Sequence, residues 1–260
     1  MADLPQARKR WGQNFIHDPG VLDRMVRAID PLPADTFIEI GPGTGALTQA
    51  ILQRNVALHA VEVDGRMAKY LDPLVRKHEL FSWETGDFLT WQPSPETQGN
   101  RLVGNIPYYI TSPILMHIFE LRQQFQDTFL LMQKEVAERL VAVPGTKAYG
   151  ILSVYAALFS RPQLHFKVSR HVFIPKPDVD SAFIQLDFSQ AEPLTPVMEN
   201  ALRLTVRTAF NQRRKTLRNS LKALLAEHPD AKVSISLERR PESLSPGEFL
   251  KLALEIFETH

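Results

Sequence analysis

The chain has no cysteine among its 260 residues. That excludes a disulfide framework, a thiolate zinc site and a cysteine nucleophile. Long apolar runs are missing as well: charged side chains break each one well short of the roughly 18 residues a membrane-crossing helix needs. Arg8, Lys9 and Arg10 stand near the N-terminus, but no apolar stretch follows them, so a secretory signal is not expected. The 8 histidines are scattered, with none at a familiar metal spacing, and no metal is expected. Net charge is almost absent, with 30 Lys and Arg against 29 Asp and Glu. What remains is an expected cytoplasmic globular chain, 44% apolar, of a length that suits one or two domains.

The neutral total hides an asymmetry. Residues 200–260 carry 11 basic and 7 acidic side chains, whereas residues 1–199 carry 19 and 22. Within 201–222 there are seven basic residues and no acidic one: Arg203, Arg207, Arg213, Arg214, Lys215, Arg218 and Lys222. Arg203 and Arg207 are four apart, as are Arg214 and Arg218, so each pair shares a helical face. Phosphate attraction acts over about a Debye length, so a local cluster outweighs a balanced total. A phosphate-gripping surface is the expectation, against the plainer alternative of a solvated helix face.

Thr36–Ile40 is short, β-rich and apolar, then runs into Gly41-Pro42-Gly43-Thr44-Gly45 and a helical pattern over Ala46–Leu52. Strand patterns follow at Val56–Asp64, Phe81–Phe88, 101–104, Phe129–Gln133, Leu164–Val168 and Ser181–Phe188. Helical patterns begin near Gly65, run from Ser112 (a candidate cap, with Pro113 behind it) to Leu121, and cover Glu135–Val141. Gly150–Ser160 fits helix or strand. This alternation argues for an α/β fold on a mostly parallel, Rossmann-like sheet flanked by helices. Past Ser189 the strand pattern ends. Residues 1–190 are the expected sheet domain and 197–260 a small helical domain.

Glycines at 41, 43 and 45 let the backbone turn sharply and approach a ligand without a Cβ clash. Glu62 ends the next strand, about 20 residues on, where a carboxylate accepts both ribose hydroxyls of an adenosine. Gly41-x-Gly43-x-x-Ala46 satisfies a loose dinucleotide pattern. The Glu39-x-Gly41-x-Gly43-x-Gly45 spacing favours S-adenosylmethionine instead, and Asp87, after the third strand, is placed to accept from an adenine amino group.

Asn105-Ile106-Pro107-Tyr108 follows an apolar strand at the edge where ligands collect. An exocyclic amine on a purine is a poor nucleophile, because its lone pair is delocalised. The Asn105 side-chain carbonyl and the Ile106 backbone carbonyl can each accept an N–H from such an amine and aim its lone pair at a methyl donor. Pro107 stiffens the backbone and Tyr108 offers a ring for the base. The plain alternative is a turn with an aromatic near the surface. In sequence with the glycine turn, Glu62 and Asp87, these residues point to an amine methyltransferase.

Taken together, Gly12-Gln13-Asn14-Phe15, the 39–45 turn, Gly86-Asp87-Phe88, Asn105–Tyr108, Gln133–Arg139, Tyr149-Gly150, Phe173–Pro177, Val179–Ala182 and the basic run Arg213–Asn219 resemble the ribosomal RNA adenine dimethyltransferase family, in its small-subunit branch. The resemblance implies transfer of methyl groups from S-adenosylmethionine, leaving S-adenosylhomocysteine, to N6 of two adjacent adenosines near the 3′ end of 16S rRNA in an assembling small subunit. It implies cofactor contacts from Gln13, Asn14, Ile16, Gly41, Gly43, Gly45, Glu62, Asp87 and Asn105. Catalysis would fall to Asn105, Ile106, Pro107 and Tyr108, with Phe173 stacking on the target base, and a monomer is expected.

Some positions depart from the family pattern: Ile16 stands for Leu, Ile151 for Arg and Asp178 for Lys, while Ser169-Arg170-His171 has fewer prolines than usual. Two other functions fit the same residues. One is a large-subunit rRNA adenine methyltransferase of the resistance type; the other is an assembly factor that acts by binding alone.

Overall fold

The computed structural model describes residues 13–95, 99–189, 191 and 194–257. Trp11 and Gly12, and part of the segment joining Ser189 to Pro196, lie outside the described residues. The chain divides into two compact units. One holds the residues up to Ala137 and Gln163–Ser189; the other holds Glu138–Pro162 and the residues after Ser189.

The first unit is built on a parallel core of five strands: β2 (Thr36–Ile40), β3 (Ala57–Glu62), β4 (Phe81–Thr85), β5 (Arg101–Asn105) and β6 (Asp127–Gln133). Their spatial order is β4-β3-β2-β5-β6, continued by β9 (Ser181–Asp187) and β7 (Arg161–Val168). β9 runs antiparallel to β6, with Leu130 opposite Ile184. The chain builds outward from β2 to β3 and β4 on one side and from β5 to β6 on the other. The order therefore reverses between β2 and β5, where an open α/β sheet has its ligand crevice. β2 and β6 are buried on both faces, so they read as continuous apolar runs rather than alternating ones.

Helices cover the sheet. α1 (Pro19–Ile29) is started by Asp18, whose Oδ1 accepts the Val21 N–H at 2.9 Å, with Pro19 in the first turn. α2 (Ala46–Leu52) follows the glycine turn, and α3 (Ala68–Lys77) follows β3. α4 is Thr111–Leu121, so Ser112 lies inside the helix rather than capping it. A single 3₁₀ turn, Tyr108–Ile110, is already wound ahead of α4, and Thr111 Oγ1 donates to the Pro107 carbonyl at 3.1 Å. α5 (Lys134–Leu140) follows β6 directly.

At the amino ends of the strands, Arg101 forms a buried fork. Its Nε and Nη2 each lie 2.9 Å from an oxygen of Asp127, and Nη1 lies 2.8 Å from Asp35. A pair of short strands, β1 (Phe15–Ile16) and β8 (Phe173–Ile174), makes a separate antiparallel sheet. Two residues each leave no period to detect.

The second unit is helical. Residues 138–162 belong to it, against the expectation that everything before 190 packs with the sheet. Gly150–Ser160 resolves as a helix, α6 (Ile151–Phe159), and Tyr149 just before it is fully buried, donating to the Leu244 carbonyl at 2.8 Å. α7 (Pro196–Asn211) buries Leu202, Val206 and Ala209 on one face. The short α8 (Leu217–Ser220) and α9 (Lys222–Glu227) follow. α10 (Pro246–Phe257) opens with a reciprocal cap, Glu248 N–H to Ser245 Oγ and Ser245 N–H to Glu248 Oε2. Among the described residues, no helix is long and apolar enough to cross a membrane.

Candidate active site

A cleft of about 210 Å³ opens at the carboxyl ends of the central strands. Gln13, Asn14, Ile16, Gly41, Gly43, Glu62, Asp87 and Asn105–Tyr108 all line it, drawn together from four strand ends and the N-terminal segment. Two expected residues do not. Gly45 sits at the start of α2 with φ of +78°, and a Cβ there would stand 2.6 Å from Leu74, so this glycine serves the packing of α3 rather than a ligand. Phe173 is only 2% exposed and packs in the core, its strand held against β1. Its ring lies in the core and not along the cleft.

Gly41 differs from Gly45. Its φ is +61° and a Cβ there would meet nothing within 4 Å. The free space in front of it is where a ligand can approach the turn. Glu62, 4% exposed, accepts the Gly43 N–H at 3.0 Å and the Asp64 N–H at 2.9 Å. These two bonds fix the carboxylate at the crevice, and burial raises its pKa against their opposing pull. Glu39, 1% exposed on β2, also lines the cleft. Burial pushes its pKa up to about 8, with the Thr48 hydroxyl bonded to it at 2.6 Å opposing and the nearby Glu62 adding to the rise. Asp87 accepts the Leu89 N–H through Oδ1, which shapes the turn and leaves Oδ2.

Asn105 ends β5. Its Nδ2 donates to the Asn14 carbonyl at 2.9 Å, and among the described residues no donor reaches Oδ1. The amide oxygen is thus a fixed, unused acceptor. The Ile106 N–H bonds to the Leu131 carbonyl at 3.0 Å, which orients the peptide that follows. Pro107 holds φ at −61°. Gln13 reaches Asp64 at 2.9 Å, and Asp64 also binds Arg66, which holds its carboxyl down at about 2.

Tyr109 is a site residue that the sequence motifs do not single out. It is 54% exposed, lines the cleft beside Asp87, and burial together with that charge raises its hydroxyl pKa. A second aromatic directly after the Asn-Ile-Pro-Tyr segment is the available signal.

In the helical unit, Arg203, Arg207, Arg214, Lys215, Arg218 and Lys222 are exposed. Arg213 is not a free cation: it bonds Glu242 at 2.9 Å and the Thr146 carbonyl at 3.2 Å. Arg218 is paired with Glu238 at 2.7 Å. Among the described residues, no group of three or more histidines or carboxylates could hold a metal ion.

A crevice at the carboxyl edge of an open α/β sheet, lined by a glycine turn, a buried carboxylate and an unengaged amide oxygen, has the make-up of an S-adenosylmethionine-dependent methyltransferase. Comparison with known proteins narrows this. The pattern of the family described as ribosomal RNA adenine dimethylase matches residues 5–258. The ribosomal RNA small subunit methyltransferase A of Marinobacter nauticus is 40% identical over 250 residues, 95% of this chain and 91% of that one. Its counterpart in Acinetobacter baylyi is 40% identical over 251 residues, 95% and 92%. Among solved structures, a dimethyladenosine transferase from Plasmodium falciparum is 26% identical with a TM-score of 0.77, over 93% of this chain and 96% of that one. The 23S rRNA methyltransferase ErmE is also 26% identical, at 0.67, over 94% and 99%. The chain belongs to the ribosomal RNA adenine dimethylase family.

Proposed function

We propose that this enzyme, acting as a monomer in the cytoplasm, dimethylates N6 of two adjacent adenosines near the 3′ end of 16S rRNA within an assembling small subunit. The observation that carries the chemistry is the Asn105 amide, held by Asn14 so that its oxygen alone is left for the target amine. The near-full-length likeness to small-subunit methyltransferases supports the choice of substrate over the large-subunit alternative.

The cleft fits the methyl donor. Open space at Gly41 accommodates a ligand against the turn, Glu62 offers acceptors at the ribose position and Asp87 one at the adenine position. When bound, S-adenosylmethionine supplies a methyl group on a positively charged sulfur. Asn105 Oδ1 and the Ile106 carbonyl accept the two N–H bonds of the adenine amine. This draws its lone pair out of conjugation and fixes its direction, so the rate gain comes from position and electrostatics. The neutral amine needs no base before attack, because its proton becomes acidic only once nitrogen carries charge. A monomethylated amine keeps one N–H and its lone pair, so one of the two acceptors still holds it for a second transfer. The exposed cations of the helical unit grip phosphates, while the shape of the presented RNA supplies selectivity.

The test supplies labelled S-adenosylmethionine with undermethylated small subunits, large subunits or duplex DNA, and counts each methylated adenosine by mass after digestion. Two N6,N6-dimethyladenosines per small subunit are expected. Label on the large subunit alone would transfer the enzyme to the resistance-type group. Tight small-subunit binding with no label anywhere would leave a binding factor.

A further inference from the structure

The Tyr108 hydroxyl lies 2.5 Å from Ser181 Oγ, 73 positions along the chain. Tyr108 lines the cleft directly after Pro107, whereas Ser181 is fully buried at the first position of β9. Serine at that place has no burial to gain, and a buried hydroxyl without a partner is costly. Tyr108 is the one hydrogen-bond partner Ser181 Oγ has among the described residues.

The anchor is also rigid. Ser181 stands opposite Gln133 in the β6–β9 ladder. The Asp180 carbonyl before it accepts the Lys134 N–H at 3.0 Å, and Asp180 Oδ1 accepts the Arg170 N–H at 3.0 Å. A ring bearing a phenol can tilt about two side-chain torsions, and a bond at its far end removes that freedom. Pro107 fixes the backbone end of Tyr108, and Ser181 fixes the hydroxyl end.

We propose that Ser181 is a positioning residue for methyl transfer, holding the plane of the Tyr108 ring on which the target adenine lies. It touches neither the adenine nor the methyl donor; it acts through Tyr108. The inference rests on the proposed function, together with the sequence reading in which Tyr108 offers its ring to the base.

The experiment is a double-mutant cycle with Ser181→Ala, Tyr108→Phe and the pair, together with Tyr108→Ala, on the full chain with undermethylated small subunits. Ser181→Ala and Tyr108→Phe are each expected to lower kcat by roughly three- to ten-fold, and the pair to be no slower than the slower single variant. Binding of S-adenosylhomocysteine and the unfolding midpoint are read alongside, and the cofactor Kd is expected to stay within about twofold in all variants. Losses that multiply in the pair, or Ser181→Ala at the wild-type rate while Tyr108→Ala is impaired, would overturn the role of Ser181. Full activity in Tyr108→Ala would overturn the placement of the base on Tyr108 itself. Should Ser181→Ala fail to fold, Tyr108→Phe removes the same bond from the cleft side, and a wild-type kcat there overturns the proposal equally.

Discussion

Asn105 Nδ2 and the Asn14 carbonyl are 2.9 Å apart, joining the end of β5 to a segment 91 positions earlier. Only an NH₂ group can face a carbonyl oxygen, so this contact chooses which end of the Asn105 amide is left over. The remaining oxygen is the acceptor proposed to hold the target amine. Asn14 precedes β1, whose pairing with β8 places Phe15 opposite Ile174, and Gln13 just before it is bonded to Asp64. The N-terminal segment is thereby tied to the cleft.

Gly41 and Gly45 should separate binding from folding. Gly41→Ala puts a methyl into the open space of the cleft and a side chain at positive φ, at a cost of about 1–2 kcal/mol. Its expected signature is weaker S-adenosylhomocysteine binding by calorimetry with a modest fall in stability. Gly45→Ala drives a Cβ into Leu74 at positive φ and should cost about 2–4 kcal/mol in urea unfolding. Equal effects of both on binding alone would restore Gly45 to the ligand site.

Glu39 makes stability fall with pH. Its folded pKa of about 8 lies above the unfolded value of 4.5, so the folded state holds the extra proton between them. Folding stability is then expected to decline from about pH 4.5 to about pH 8 through this group. Glu39→Gln keeps an acceptor for Thr48 and should flatten that decline, with its largest gain at the alkaline end. Unfolding midpoints of the ligand-free protein at about pH 5, 6.5 and 8 provide the check, and parallel profiles for both proteins would contradict it.

Arg101 is a buried charge at the amino ends of the strands. Arg101→Met leaves Asp127 and Asp35 without their shared cation. The expected loss is about 3–5 kcal/mol in denaturant unfolding. A loss under about 1 kcal/mol would mean that the fork does little.

The exposed cations should act through salt. Neutralising Arg207, Arg214, Lys215 and Lys222 together is expected to weaken RNA binding. The slope of log K against log salt should become shallower by roughly 0.7–0.9 for each phosphate no longer neutralised. Arg213→Ala, which breaks the bond to Glu242, should leave that slope unchanged and cost under about 1 kcal/mol of stability.

Much of the cleft was legible in the sequence because its residues sit at strand ends. Gly41, Glu62 and Asn105 each close an apolar run, Asp87 follows a short extended segment, and a parallel sheet brings such ends to one edge. Phe173 reads as a site residue because its neighbours resemble a site motif, while the pairing of Phe173 with Ile16 that turns it inward involves strands of two residues. Gly45 belongs to the same spacing pattern as Gly41; only the approach of Leu74 separates their roles. Arg213 sits in a run with no acidic neighbour, and its partner Glu242 is 29 positions away. Ser112 has the composition of a cap, but the turn wound at Tyr108–Ile110 starts the helix earlier. For Phe173, Gly45 and Arg213 alike, a neighbour distant in the chain decides the role.

The most direct test is single-turnover methyl transfer to undermethylated small subunits by Asn105→Ala, with S-adenosylhomocysteine affinity measured on the same preparation. Removing the side-chain acceptor is expected to slow transfer by about 100-fold or more, with the cofactor Kd within about threefold of wild type. Transfer near the wild-type rate would show that the Asn105 oxygen does not hold the target amine, and would contradict the account.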